Sequence, residues 1–195
     1  MMIFLFAFLS VLGYSYGAAN TFLARSLGSY MALQRDVITY MYGYSNSPAN
    51  TIVVDFNSLR YTGKSNREAA VDGGYFWKIS LSPMPGSFTP YSINITSSSG
   101  EQALLTDIVF GDVFICSGQS NMQFGIPDMF NGTAEVADAD NYPNIRVYGV
   151  YQDYCMPQTE DPLEDVFSVS QAWAKVMVSA CLPLMFYCTL TTDLT

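Results

Sequence analysis

Four short stretches of the chain are rich in β-branched and aromatic residues, and several alternate between apolar and polar positions with a period of two. They are Val37–Tyr42, Thr51–Phe56, Tyr75–Leu81 and Tyr91–Thr96. That period and composition predict β-strands. Turn-forming clusters separate them: Gly43 to Pro48, Asp72-Gly-Gly74, Pro83 to Gly86 and Ser97 to Gly100. Short strands at this spacing predict a small antiparallel, sandwich-like β module over residues 20–107. No internal repeat interrupts it.

The pattern changes near Thr106. Ile108 to Ile115 is apolar on both faces apart from Gly111 and Asp112, which predicts a buried parallel strand. Ala134 to Ala139 is a short helix candidate, and Asn144 to Val150 a further strand. Gln152 to Ser170 is polar and proline-containing, hence loop, and Trp173 is expected to open a helical stretch. Strand, helix, strand, helix over residues 108–181 is the start of an α/β sheet that then runs out of chain. The expected fold class is α+β overall, an antiparallel β module followed by an incomplete parallel-sheet domain. Residues 182–195 are left as a divergent tail.

The two ends account for part of a mean hydropathy of +0.18. Met1 to Leu12 is an apolar run followed by small residues, Ser15 and Gly17, so residues 1–18 are read as a secretory signal cleaved near Gly17 to Ala19. The run is short for a bilayer span, which takes about 20 apolar residues, although no Lys or Arg precedes it. Val176 to Leu190 is also short and carries Pro183. A secretory route makes Asn94-Ile-Thr96 and Asn131-Gly-Thr133 candidate N-glycosylation sites.

Charge excludes some functions. The net charge is −9. Residues 111–195 carry eleven acidic side chains against Arg146 and Lys175, whereas residues 1–110 are balanced. No basic patch suits nucleic acid or an anionic membrane. Neither an EF-hand nor a zinc-ligand spacing is present, so no metal or other cofactor is expected. Cys116, Cys155, Cys181 and Cys188 allow three disulfide connectivities, and spacing does not choose among them.

The chemistry concentrates in Cys116-Ser-Gly-Gln-Ser-Asn-Met-Gln-Phe124, which follows the apolar run. By composition alone this is an ordinary polar turn. A serine at a strand-to-helix turn nevertheless gains an unpaired N–H for an oxyanion and a favourable helix dipole. Ser120 is the candidate nucleophile. Gly118 permits the sharp turn, and Gln119, Asn121 and Gln123 are polar neighbours able to orient a ligand or support the oxyanion. The lipase elbow G-x-S-x-G does not fit, because Met122 stands at its last position.

Phe110-Gly-Asp-Val-Phe-Ile-Cys-Ser-Gly-Gln-Ser-Asn-Met-Gln123 resembles the nucleophile block of sialate O-acetylesterases, a branch of the SGNH (GDSL-like) hydrolases. Weaker similarity covers Tyr30 to Gln34, the Trp77 stretch, Ser92 to Ile95, Asn144 to Val147 and Ala172 to Lys175. The resemblance implies the N-terminal portion of a secreted or lysosomal serine esterase that removes acetyl groups from O-acetylated sialic acids, with no cofactor. It implies that 20–107 is the family's N-terminal β domain and 108–181 the truncated start of its SGNH hydrolase domain. Ser120 matches the nucleophile, with its own N–H as an oxyanion donor. The family's later Gly and Asn donor blocks and its Asp-x-x-His are not matched, and the chain contains no histidine. The expected outcome is an incomplete, inactive esterase chain. The alternative is a non-catalytic secreted glycoprotein or glycan-binding fragment.

Overall fold

The computed structural model describes residues 22–70, 73–115, 125–150, 169–175 and 188–191. The first seven strands are β1 (Ala32–Gln34), β2 (Thr39–Ser45), β3 (Thr51–Phe56), β4 (Leu59–Lys64), β5 (Tyr75–Leu81), β6 (Ser87–Ser97) and β7 (Gln102–Val113). A single turn of 3-10 helix, Ile126–Asp128, leads to helix α1 (Gly132–Asp138). Then come β8 (Arg146–Val150), β9 (Val169–Lys175) and β10 (Cys188–Thr191). The described residues are thus mostly sheet.

The four predicted strands of the first half are all present, as β2, β3, β5 and β6. In β3, β5 and β6 the buried positions alternate along the strand. Ile52, Val54 and Phe56 of β3 and Ile93 and Ile95 of β6 are buried, while the residues between them are more exposed. The β3–β4 hairpin turns on Asn57 and Ser58, both at positive φ (49° and 61°). That geometry matches the twist of the flanking strands. β2 and β5 form a separate two-stranded antiparallel sheet. Its Met41, Trp77, Ile79 and Leu81 share one core cluster with Ile52, Val54, Phe56, Ile93, Ile95, Ile108 and Phe110 of the larger sheet.

The larger sheet has eight strands, in the order β4-β3-β6-β7-β10-β8-β9, with β1 pairing alongside β7. β7 is its spine. The residue 107/108 position, where the hydropathy pattern changes, falls inside this strand. Between Tyr91–Ile93 of β6 and Leu105–Ile108 of β7 a two-residue step faces a three-residue step. Asp107, at φ 57°, takes up the extra residue. This β-bulge shifts the alternation, so Leu105 and Ile108 both point into the core although they are three apart.

Two expectations are corrected. The apolar stretch from Ile108 was expected to be a parallel strand, but β7 is parallel only to β1 and antiparallel to β6 and β10. Trp173 was expected to open a helix, but it lies on β9, antiparallel to β8. Short apolar runs fit either period, and here the free edge of β8 decides. The segment read as a divergent tail contributes β10, which sits between β7 and β8.

Candidate functional site

The end of β7 delivers the chain into the Cys116–Phe124 block, and several contacts hold it. Gln34 pairs with Gly111, and the Arg35 N–H donates to the Gly111 carbonyl at 2.9 Å. Arg35 Nε binds Asp112 Oδ1 at 3.0 Å. The Gln34 amide also donates to Asp112, at 3.4 Å, and its Oε1 accepts the Val113 N–H at 2.8 Å. On the other side, β10 pairs Leu190 with Val113 and Thr191 with Asp112. Asp112 offers no nucleophile, yet it anchors the strand that leads to Ser120. In the sequence Asp112 stands out only as an interruption of the apolar run, and Gln34 only as the end of a stretch of weaker similarity.

Ser120, Gly118, Gln119 and Asn121 lie outside the described residues, as do Met122, Gln123, Cys116, Cys155 and Cys181. On the upstream side Phe114 and Ile115 are 50% and 88% exposed. On the downstream side the chain re-enters at Gly125. There Val136 and Ala139, with Ile126 and Ile145, pack on Val147 of β8. Both flanks of the block are therefore tied to the same sheet. Asn131, at the start of α1, is exposed and has φ 61°, and its side chain makes no capping hydrogen bond. Asn94 is exposed in the middle of β6.

At the bulge of β7, Asp107 gathers two cations. Arg146 Nη2 lies 2.9 Å and Lys175 Nζ 2.6 Å from its two oxygens. The Arg146 side chain is 3% exposed and also donates to the Pro143 carbonyl at 2.6 Å. Burial pushes its guanidinium below the usual value, and Asp107 opposes this. Arg146 and Lys175 were visible in the sequence only as the two bases of an acidic half. Nearby, Tyr148 stacks on Trp173 with ring centroids 5.2 Å apart, and the Trp173 indole donates to the Ser26 carbonyl at 2.8 Å. Burial pushes the Tyr148 phenol up to about 12. Among the described residues no group of His, Cys, Asp or Glu side chains is placed to hold a metal ion.

No family model matches the chain. Curated relatives do. The mouse sialate O-acetylesterase is 28% identical over 156 residues, which is 78% of this chain and 28% of that protein. The orangutan (Pongo abelii) sialate O-acetylesterase is 30% identical over 150 residues, 74% of this chain and 27% of that protein. Among solved structures, a carbohydrate acetylesterase from Xanthomonas citri superposes with a TM-score of 0.68 at 25% identity, covering 85% of this chain and 34% of that one. The chain spans less than a third of the length of the curated relatives it matches. These likenesses bear out the resemblance to the sialate O-acetylesterase family that the block at residues 110–123 announces.

Proposed function

We propose that this chain is the nucleophile-bearing part of a secreted or lysosomal serine esterase that removes acetyl groups from O-acetylated sialic acids. The observation that carries this reading is the similarity to sialate O-acetylesterases over most of the chain, including a contiguous SGQSNM block led in by a clamped strand. Ser120 is the nucleophile. Its N–H contributes to the oxyanion hole, with Gly118 permitting the turn and Gln119 and Asn121 supporting it. Residues 20–107 are the family's sandwich-like β domain, and the SGNH domain starts in β7. Residues 1–18 direct the chain into the secretory route, and Asn94 and Asn131 carry glycans there.

A serine hydroxyl attacks an ester only when a base takes its proton. The chain has no histidine, and an ordinary carboxylate, with a reference pKa near 4, accepts that proton poorly. The 195-residue chain is therefore inactive by itself, and its family's activity needs the later Gly, Asn and Asp-x-x-His blocks. The second reading is a non-catalytic secreted glycoprotein or glycan-binding fragment.

The test begins with the transcript beyond codon 181. A frame carrying those three blocks, joined to residues 1–181 and expressed, is expected to release acetate from 9-O-acetylated sialic acid and from an aryl acetate. Ser120→Ala should abolish both. A transcript lacking the blocks would leave the non-catalytic reading. Turnover by the 195-residue chain that vanishes in Ser120→Ala would show that another residue or a second chain supplies the base.

A further inference from the structure

One row of side chains crosses the solvent face of the larger sheet: Arg60, Asp55, Asn94 and Leu104 are successive cross-strand partners on β4, β3, β6 and β7. Direct partners project on the same face about 5 Å apart. Arg60 holds Asp55 through two hydrogen bonds, at 2.7 and 3.1 Å, so that pair is self-satisfied. Asn94 is exposed and is the first residue of a sequon. Leu104, across from it, is 64% exposed. A lone exposed leucine needs no explanation in itself. Its place directly across from an acceptor asparagine gives it one.

We propose that Asn94 carries an N-linked glycan whose stem sugars lie over Leu104 and cover the solvent face of β6 and β7. This deepens the secretory reading above and rests on it. The donor is an oligosaccharide borne on a lipid pyrophosphate. Asn94 Nδ2 bonds to its anomeric carbon and the bond from that carbon to the pyrophosphate oxygen breaks. The pyrophosphate leaves with the electron pair, the amide nitrogen gives up one proton, and nothing is oxidised or reduced. The apolar face of the sugar ring then removes Leu104 from water, which is favourable in proportion to the area covered.

The experiment expresses the full chain in a glycosylating host, with and without a heterologous secretory leader. Glycopeptide mass spectrometry of the leader-directed chain is expected to find Asn94 occupied. Asn94→Gln and Thr96→Val should each remove one glycan, the second leaving Asn94 in place. Enzymatic removal of glycan from the folded chain should raise binding of an apolar dye several-fold, and Leu104→Thr should abolish that rise. An unoccupied Asn94 in leader-directed, secreted chain overturns the site. Occupancy with no dye response overturns the cover over Leu104. A chain glycosylated behind the leader but retained in the cytosol without it supports the site and refutes residues 1–18 as a signal.

Discussion

Arg146 of β8 and Asp107 at the bulge of β7 are 2.9 Å apart, and the arginine side chain is almost wholly buried. Their sequence separation is 39 residues. The pair joins the strand that runs through the whole sheet to the strands downstream of the candidate nucleophile. Lys175 on β9 completes the group from the other side of Asp107.

Removing the carboxylate leaves a buried guanidinium without its counter-charge. Asp107→Asn keeps a residue that tolerates positive φ, so the cost is electrostatic. Denaturant unfolding is expected to show a loss of about 3 kcal/mol, in the range for breaking a buried pair. Arg146→Met in the same background should recover part of it. An unchanged midpoint in Asp107→Asn would mean that Arg146 reaches water.

Gly43 faces the Phe22 carbonyl so closely that a Cβ there would run into that oxygen and press on Leu23. The same carbonyl accepts the Trp77 indole N–H at 3.0 Å, and Trp77 is the register partner of Gly43. Gly43→Ala is expected to displace residues 22–24 and cost about 1–3 kcal/mol, as overpacking does. With Trp173→Phe as background, Trp77 is the remaining indole. Its emission should shift to the red. An unshifted spectrum and unchanged stability would refute the close approach.

Glu101 sits partly buried at the β6–β7 turn. Burial pushes its carboxyl up, but hydrogen bonds from Ser99, the Asn46 N–H, Ser45 and Ser97 outweigh this, and its pKa lies below the ordinary 4.5. A group whose folded pKa is depressed contributes stability that is fully present above the unfolded value. That stability is lost as pH falls through the folded value. Unfolding midpoints should therefore decline as pH falls below about 4.5. Glu101→Gln should start lower at neutral pH and decline less. Parallel acid limbs in the two proteins would count against the assignment.

Tyr148 shifts the other way. Its folded value near 12 lies above the ordinary 10, with burial the leading cause and Tyr42 adding to it. Its contribution is fully present below the unfolded value and is lost as pH rises toward the folded one. Stability should fall above about pH 10, as the unfolded phenol ionises. Tyr148→Phe keeps the ring on Trp173 and should flatten that alkaline fall, at the cost of the 3.3 Å hydrogen bond to the Arg25 carbonyl. Identical alkaline limbs would show that other tyrosines dominate.

The features legible in the amino-acid sequence were local ones. Period-two patterning marked β3, β5 and β6, where alternate residues are buried against one core, whereas β2 buries Gly43, Tyr44 and Ser45 in succession. The Ala134 helix and the Asn144 strand were legible for the same kind of reason. The SGQSNM block was legible as a motif, and its residues lie outside the described ones. The tertiary structure decided everything that depends on partners distant along the chain. β1 has only three residues, too few to show a period, and forms because β7 offers it an edge. The shift in pattern at Thr106 marks a bulge within one strand rather than an interruption, since only pairing with β6 reveals the extra residue. Trp173 lies on a strand because β8 has an unpaired side for it to join. Asp112 and Asp107 look alike in an acidic sequence. One ties Arg35 to the approach to Ser120, the other neutralises buried Arg146, and only folding brings those cations within 3.0 Å.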